Sequence, residues 1–142
     1  AISYNGEATY QPDTGDATHR RGLYTFWKRQ APPPDMLTFD GPTREVCTVR
    51  RPRTNTPLQA LMLMNDENYE EAARAFAKLV LQQKSGRTEW AFAKATGRIA
   101  RAAEVAELQA YLHAELGKTS EAEAWTRVCS LLLNLDEVLV MH

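Results

Sequence analysis

The residues best suited to chemistry in this 142-residue sequence lie between Phe39 and Gln59. The segment contains four arginines, followed by amide and hydroxyl side chains close to a predicted helix start at Thr56. Arginine presents a planar fork of N–H donors that suits carboxylate, sulfate or phosphate groups, and a helix N-terminus adds free backbone N–H groups. The segment therefore predicts an anion-binding site, formed by Arg44, Arg50, Arg51, Arg53, Asn55 and Gln59.

The same arginines have a second interpretation, as structural partners of carboxylates. Asp40 and Glu45 lie within the segment, and the later helices are acidic. An irregular chain also needs side chains to satisfy its backbone carbonyls, because it has no regular hydrogen-bond ladder. Ion pairing is therefore the favoured interpretation of the arginines, and anion binding is the alternative.

Asp40 and Glu45 are also the candidate acid pair of the sequence, with Asp136 as a third carboxylate to consider. A glycosidase needs two carboxyl groups about 5 to 9 Å apart across a cleft. Carboxylates beside arginines stay ionised and form bidentate pairs, so Asp40 and Glu45 are expected to be structural.

Motifs for other enzyme classes are missing from the sequence. There is no G-x-S-x-G, no phosphate-binding or dinucleotide glycine pattern, and no pair of histidines four residues apart. The two cysteines, Cys47 and Cys129, lie 82 residues apart without a C-x-x-C or a C-x-x-C-H motif. We therefore predict no catalytic residue, no metal ligand and no cofactor in this segment, and expect both thiols to be buried and free rather than paired.

The formal net charge of −1 conceals a strong segregation of charge. Residues 1–18 carry −3, residues 19–54 carry +5, and residues 55–142 carry −3. The balanced total argues against a nucleic-acid partner, which usually requires a clear basic excess. The basic, aromatic stretch RRGLYTFWKR is accordingly interpreted as a short helix over Gly22–Arg29, with Leu23, Phe26 and Trp27 facing a core.

Secondary-structure signals divide at the same place as the charge. Six of the seven prolines precede residue 55, and Pro32-Pro33-Pro34 favours an extended path. The runs Met36–Phe39 and Val46–Val49 are likewise predicted to be extended or irregular.

From residue 55 onward the sequence predicts successive amphipathic helices. Thr56 and Gln59 form a capping box around Pro57, and a second box begins at Ser120. Glycines and polar capping residues mark the other predicted helix ends. The predicted helices cover residues 57–65, 66 to Gly86, 88–96, 101–116 and 120–134, with a helix or turn over 135–141.

These elements predict a mainly α fold, a small bundle of four to five helices with an irregular, proline-rich N-terminal third packed on it. Residues 1–18 are expected to be a polar segment that ends an upstream region, because the chain opens at Ala1 rather than at methionine. Residues 19–142 are expected to form one domain, with a basic segment over 19–54 and a helical bundle over 55–142. No apolar run approaches the ~18 residues of a membrane span.

Five sequence blocks point to a known family: LYTFWKR, APPP, MLTFD, CTVRR and RTNTPLQAL. With them, residues 19–76 closely resemble the C-terminal planctomycete-specific domain of unknown function of planctomycete cytochrome-c-type proteins. A weaker resemblance continues through Thr96-Gly97-Arg98 and Leu132–Glu137. The resemblance implies a secreted or cell-envelope multidomain protein, in the periplasm or envelope, whose c-type haem domain and second helical domain lie upstream. It implies no catalytic residues.

Together, these observations favour a non-catalytic helical domain over an enzyme. The domain is expected to pack against upstream domains of the same polypeptide, or to bind an anionic ligand such as an acidic polysaccharide through its arginines. Two alternatives remain open. The segment could complete the active site of a polysaccharide-processing enzyme, or it could be a docking module for a c-type haem domain elsewhere in the protein.

Overall fold

The computed structural model describes residues 15–19, 22–24, 27, 32–42, 46–50 and 54–139. Within these ranges the regular elements are all helices, so the predicted mainly α fold is confirmed. The chain divides into two compact units, Ala1–Thr54 and Asn55–His142.

The first unit contains two short 3-10 helices, Gly15–His19 and Gly22–Tyr24. The predicted helix over Gly22–Arg29 is wrong for its described residues, because the 3-10 helix stops at Tyr24, Leu23 is exposed and Trp27 lies outside any helix. Phe26 lies outside the described residues.

Helix α1, Pro34–Thr38, corrects the prediction that Met36–Phe39 is extended. The third proline of the Pro32-Pro33-Pro34 run occupies the first helical turn, where a missing N–H costs nothing and the fixed φ suits a helix. The Thr38 hydroxyl donates to the Pro34 carbonyl at 2.9 Å. A proline run can therefore begin a helix as well as extend a chain.

The second unit contains most of the helix. It comprises α2 (Pro57–Asn65), α3 (Glu67–Leu81), α4 (Arg87–Thr96), α5 (Ala102–Leu116), α6 (Glu121–Leu133) and α7 (Asp136–Leu139). Thr56 and Gln59 form both hydrogen bonds of the predicted capping box, and the Ser120 hydroxyl accepts the Glu123 N–H. The predicted starts of α2 and α6 are thus confirmed.

Helix α3 ends at Leu81, whereas the sequence predicted an end at Gly86. Gly86 instead precedes α4 with a left-handed φ of 63°. Arg87 accounts for the early end, because its guanidinium donates to the carbonyls of Gln83 at 2.9 Å and Leu81 at 3.2 Å. An arginine from the next helix therefore satisfies backbone acceptors that a longer α3 would have used.

The core of the second unit lies between α3 and α6, with α4 and α5 closing it. Its buried side chains are Ala73, Ala77, Val80, Ala91, Phe92, Leu108, Trp125, Val128, Cys129 and Leu132. Alanines on α3 let that helix approach the larger side chains of α6 closely. None of the helices in the described ranges combines the length and the apolar character that crossing a bilayer requires.

Candidate functional site

Asp40 lies at the C-terminal end of α1 in a backbone conformation that few residues adopt. Its φ of 57° is left-handed, its N–H donates to the Leu37 carbonyl, and the Gly41 N–H donates to the Met36 carbonyl at 2.6 Å. This pair of bonds is a Schellman motif, which terminates a helix and needs a residue that tolerates positive φ. Gly41 is required as well, since a Cβ there would lie 2.5 Å from the Met36 oxygen.

The Asp40 carboxylate is held by Thr54. It accepts the Thr54 backbone N–H at 2.7 Å, and the Thr54 hydroxyl lies 2.8 and 2.9 Å from its two oxygens. Glu45, its predicted partner in an acid pair, lies outside the described residues. Asp40, the described member of the pair, is thus hydrogen-bonded to a backbone N–H and a hydroxyl.

Between Asp40 and Thr54 the chain carries the predicted arginines. Arg50 is exposed, and no hydrogen bond or ion pair engages its guanidinium among the described residues. Val46 and Val49 are strongly exposed beside it. Arg44, Arg51 and Arg53 lie outside the described residues, so anion binding by the four arginines stays a prediction.

The other two predicted binding residues are engaged inside the second unit. The Asn55 amide donates to the Asp136 carboxylate at 2.5 Å, and Gln59 is buried in its capping box with Thr56. Asn55 thus contacts the third carboxylate that the sequence singled out. Both side chains thus stabilise the segment in which α2 begins.

Arg98, which the sequence did not single out for chemistry, is the centre of a cluster of charged side chains. Its guanidinium binds both oxygens of Glu104, at 2.6 and 2.9 Å, and both oxygens of Glu137, each at 2.9 Å. It also lies 4.6 Å from the centre of the Phe92 ring. The cluster connects the turn after α4 to the first turn of α5 and to α7.

These bonds change the acidity of the cluster. Hydrogen bonds from Arg98, and then from the Arg101 N–H, lower the pKa of Glu104 to about 2. The two glutamates raise the pKa of Arg98 further above its already high value. Arg98 and Glu104 therefore stay charged at neutral pH and are held by each other, which suits a structural role rather than proton transfer.

A buried carboxylate, Glu115, joins α5 to α6. Glu115 is nearly inaccessible to solvent and accepts hydrogen bonds from Lys118 at 2.9 Å and Arg127 at 2.5 Å. These two cations lower its pKa, the Lys118 bond contributing most. Like Arg98, this cluster fastens two helices.

The two cysteines are free, as predicted. Cys129 is buried in the core, where desolvation raises its pKa to about 12. Cys47 is exposed, so the expectation that both thiols are buried is wrong for this residue, which lies beside other exposed side chains at 46–50. No group of three or more potential metal-binding side chains occurs in the described part of the chain.

Helix α2, the first helix of the second unit, has three large apolar side chains exposed to solvent. Helix α2 contains no charged residue, yet Leu58, Leu61 and Met64 are 61%, 58% and 62% exposed. Leu63, by contrast, is 8% exposed. Sequence analysis missed this surface, because an apolar helix start looks the same whether its side chains are buried or exposed.

The model of the family described as "PSD1: Protein of unknown function (DUF1553)" matches residues 2–112. The chain belongs to this family. The match spans the first unit and, in the second, α2 to most of α5. No curated protein and no solved structure matches this DUF1553 chain. Family membership therefore supplies no activity, and any function must be argued from the side chains.

Proposed function

We propose that this DUF1553 chain is a non-catalytic helical domain that packs against neighbouring domains of a larger polypeptide. The observation that carries the proposal is the outward face of α2, formed by Leu58, Leu61 and Met64. A surface helix normally presents charged residues to solvent, and this one presents none. Contiguous exposed apolar side chains mark protein contact surfaces, because covering each one removes apolar area from water.

The carboxylates also favour a non-catalytic role. Asp40 is bound by Thr54 and Asp136 by Asn55. A general acid or base must reach its substrate, and these two side chains already have donors that compete for their oxygens. This weakens the alternative in which the chain completes the active site of a polysaccharide-processing enzyme.

The wider setting that we propose follows from the sequence resemblance. The larger polypeptide is a secreted or cell-envelope protein of planctomycete type, located outside the cytoplasm, with its c-type haem in a different domain. In this setting the surface of α2 contacts an upstream domain, and docking to the haem domain is one form of that contact. The chain itself needs no cofactor for this role.

A second candidate function is recognition of an anionic ligand through Arg44, Arg50, Arg51 and Arg53. The observation that favours it is the exposure of Arg50, which no described residue engages. The guanidinium is therefore available to a carboxylate or sulfate group.

Photo-crosslinking in the natural full-length protein tests the packing role. A benzophenone side chain is introduced at position 61 on α2, and at the exposed Gln109 on α5 as the matched control. We expect position 61, and not position 109, to crosslink to a peptide from another domain of the same polypeptide. Equal labelling from both positions, or a crosslink from position 61 only to a second copy of the chain, would overturn the proposal.

A further inference from the structure

The exposed side of α2 is a narrow strip of apolar side chains. Leu58, Leu61 and Met64 follow one another at intervals of three residues, a spacing that makes them neighbours along one side of the helix. Gln59 and Leu63, on the opposite side, are buried. At a rise of ~1.5 Å per residue, the strip from Leu58 to Met64 is about 9 Å long. We name these three side chains the apolar strip.

The helix that carries the apolar strip is fixed at both ends. The capping box between Thr56 and Gln59 holds its start. Near its end, the Asn65 amide donates to the Leu61 carbonyl at 2.7 Å, so this exposed polar side chain is bonded to its own helix. A helix that is already formed has little conformational freedom to lose when a partner binds.

Carboxylates lie directly beyond the C-terminal end of the apolar strip. From residue 54 to residue 73 the sequence contains four acidic residues and no basic one, namely Asp66, Glu67, Glu70 and Glu71. Glu67 is exposed, and no described residue pairs with its carboxylate. It follows Met64 by three positions, which span at most about 11 Å. A partner that covers Met64 therefore comes within reach of a negative charge.

We infer that the partner of the apolar strip is an amphipathic helix with lysine or arginine residues beside its apolar stripe. The inference rests on the proposed function, because it names the chemistry of the surface that meets α2. Two helices pack with their axes 8–10 Å apart by fitting apolar ridges into grooves. Two turns of a partner helix present an apolar stripe about 10 Å long, which matches the apolar strip. Basic side chains at the end of that stripe complement the carboxylates that begin α3.

Other occupants match this surface less well. An added strand needs a sheet edge to extend, and the described residues contain no strand. Helices that lie on membranes carry lysine and arginine on their polar side, whereas α2 has no charged residue and leads into carboxylates. A second copy of the chain that used the same face would bring a second set of these carboxylates rather than the cations that complement them.

Binding of designed peptides to the whole chain tests the chemistry of the partner. The first peptide is an amphipathic helix with a leucine stripe flanked by lysines. The second has the same composition in an order that forms no stripe, and the third carries glutamate in place of every lysine. We expect the first peptide to bind about tenfold more tightly than either of the others, with an affinity that falls as salt is added. A first peptide that binds no better than the second or the third overturns the inference.

Two pairs of variants test whether the first peptide binds at α2. Leu61→Gln changes the middle of the apolar strip, and Leu79→Gln is its control, because Leu79 is 47% exposed but lies about 18 Å along α3 from Glu67. Only Leu61→Gln should weaken binding, by about tenfold. Glu67→Lys should weaken it about fivefold, whereas Glu107→Lys, at an exposed position of α5, should not. Parent-like binding by Leu61→Gln or by Glu67→Lys overturns the inference.

Two further measurements test the other occupants. Cosedimentation with phosphatidylglycerol vesicles should be the same for the parent chain and Leu61→Gln. Sedimentation equilibrium should likewise give the same mass for both chains. Vesicle binding or self-association that Leu61→Gln abolishes would assign the apolar strip to a membrane or to a second copy, and would overturn the inference.

The crosslinking experiment separates this inference from the proposed function. The peptide that position 61 labels in another domain is identified by mass spectrometry, and it should carry lysine or arginine beside its apolar residues. A labelled peptide without basic residues overturns this inference and leaves domain packing in place. Absence of any crosslink to another domain overturns domain packing, while the designed peptides still decide the chemistry of the surface.

Discussion

Two leucines on α2 provide a direct test of which side of this helix faces outward. Leu61 and Leu63 belong to the same helix, but they are 58% and 8% exposed. Each is replaced by alanine in the whole chain. The change in helix propensity is the same at both positions, so any difference in stability reports on burial.

The expected magnitudes follow from the exposed fractions. Leu→Ala removes the equivalent of three methylene groups, worth about 2.4 kcal/mol at ~0.8 kcal/mol each when fully buried. Leu63→Ala loses nearly all of this and leaves a cavity, so we expect a cost of about 2–4 kcal/mol. Leu61 is less than half covered, so Leu61→Ala should cost at most about 1 kcal/mol and leave no closed cavity.

Urea unfolding followed by far-ultraviolet circular dichroism measures both costs. The midpoint of Leu63→Ala should fall well below that of Leu61→Ala, while the dependence on urea concentration stays unchanged. Equal destabilisation by the two substitutions would refute this orientation of α2. It would mean that Leu61 is already covered within the chain, and the proposed packing surface would then not exist.

Three further predictions concern charges and thiols. Arg98→Lys should lower the thermal midpoint of unfolding and speed amide hydrogen exchange in α7, because an ammonium group cannot bind two carboxylates in bidentate fashion. Unchanged exchange in α7 would contradict the conclusion that Arg98 connects this helix to α5. The pKa of Glu104 is lowered from 4.5 to about 2, so the ionised carboxylate stabilises the fold above about pH 4.5, and this contribution is lost as the pH falls toward 2. Glu104→Gln should therefore be less stable than the parent chain at neutral pH and lose less stability on acidification. Parallel profiles of stability against pH for the two chains would count against this. A thiol reagent at mildly alkaline pH should modify Cys47 in the folded chain and Cys129 only after unfolding, as mass spectrometry would show, since burial raises the pKa of Cys129 to about 12.

The helices of the second unit could be predicted because their signals are local. Thr56, Gln59 and Ser120 act within one turn of the residues that they cap, and local spacing is what a sequence shows directly. The error at the end of α3 arose because a side chain beyond that helix binds its last carbonyl. The Arg87 guanidinium donates to the Leu81 carbonyl, a contact that the capping rules do not indicate.

The sequence indicated which residues belong to the candidate site, but not which of them form hydrogen bonds with each other. Asn55 and Asp136 were both singled out, yet they lie 81 positions apart and their hydrogen bond depends on how the helices assemble. The same holds for Arg98 and Glu137, which are 39 positions apart. Residue types reveal that carboxylates and arginines need partners, whereas only the packed chain determines which partners they receive.

The bond between Asn55 and Asp136 also has a topological consequence. Asn55 is the first residue of the second unit, and Asp136 begins its last described helix, so the two ends of the described part of this unit are neighbours. A unit with adjacent ends can be inserted into a surface loop of another protein, or its ends can be joined and new ones opened elsewhere, without spreading the helices apart. The hydrogen bond between Asn55 and Asp136 thus holds the first residue of the second unit beside its last described helix.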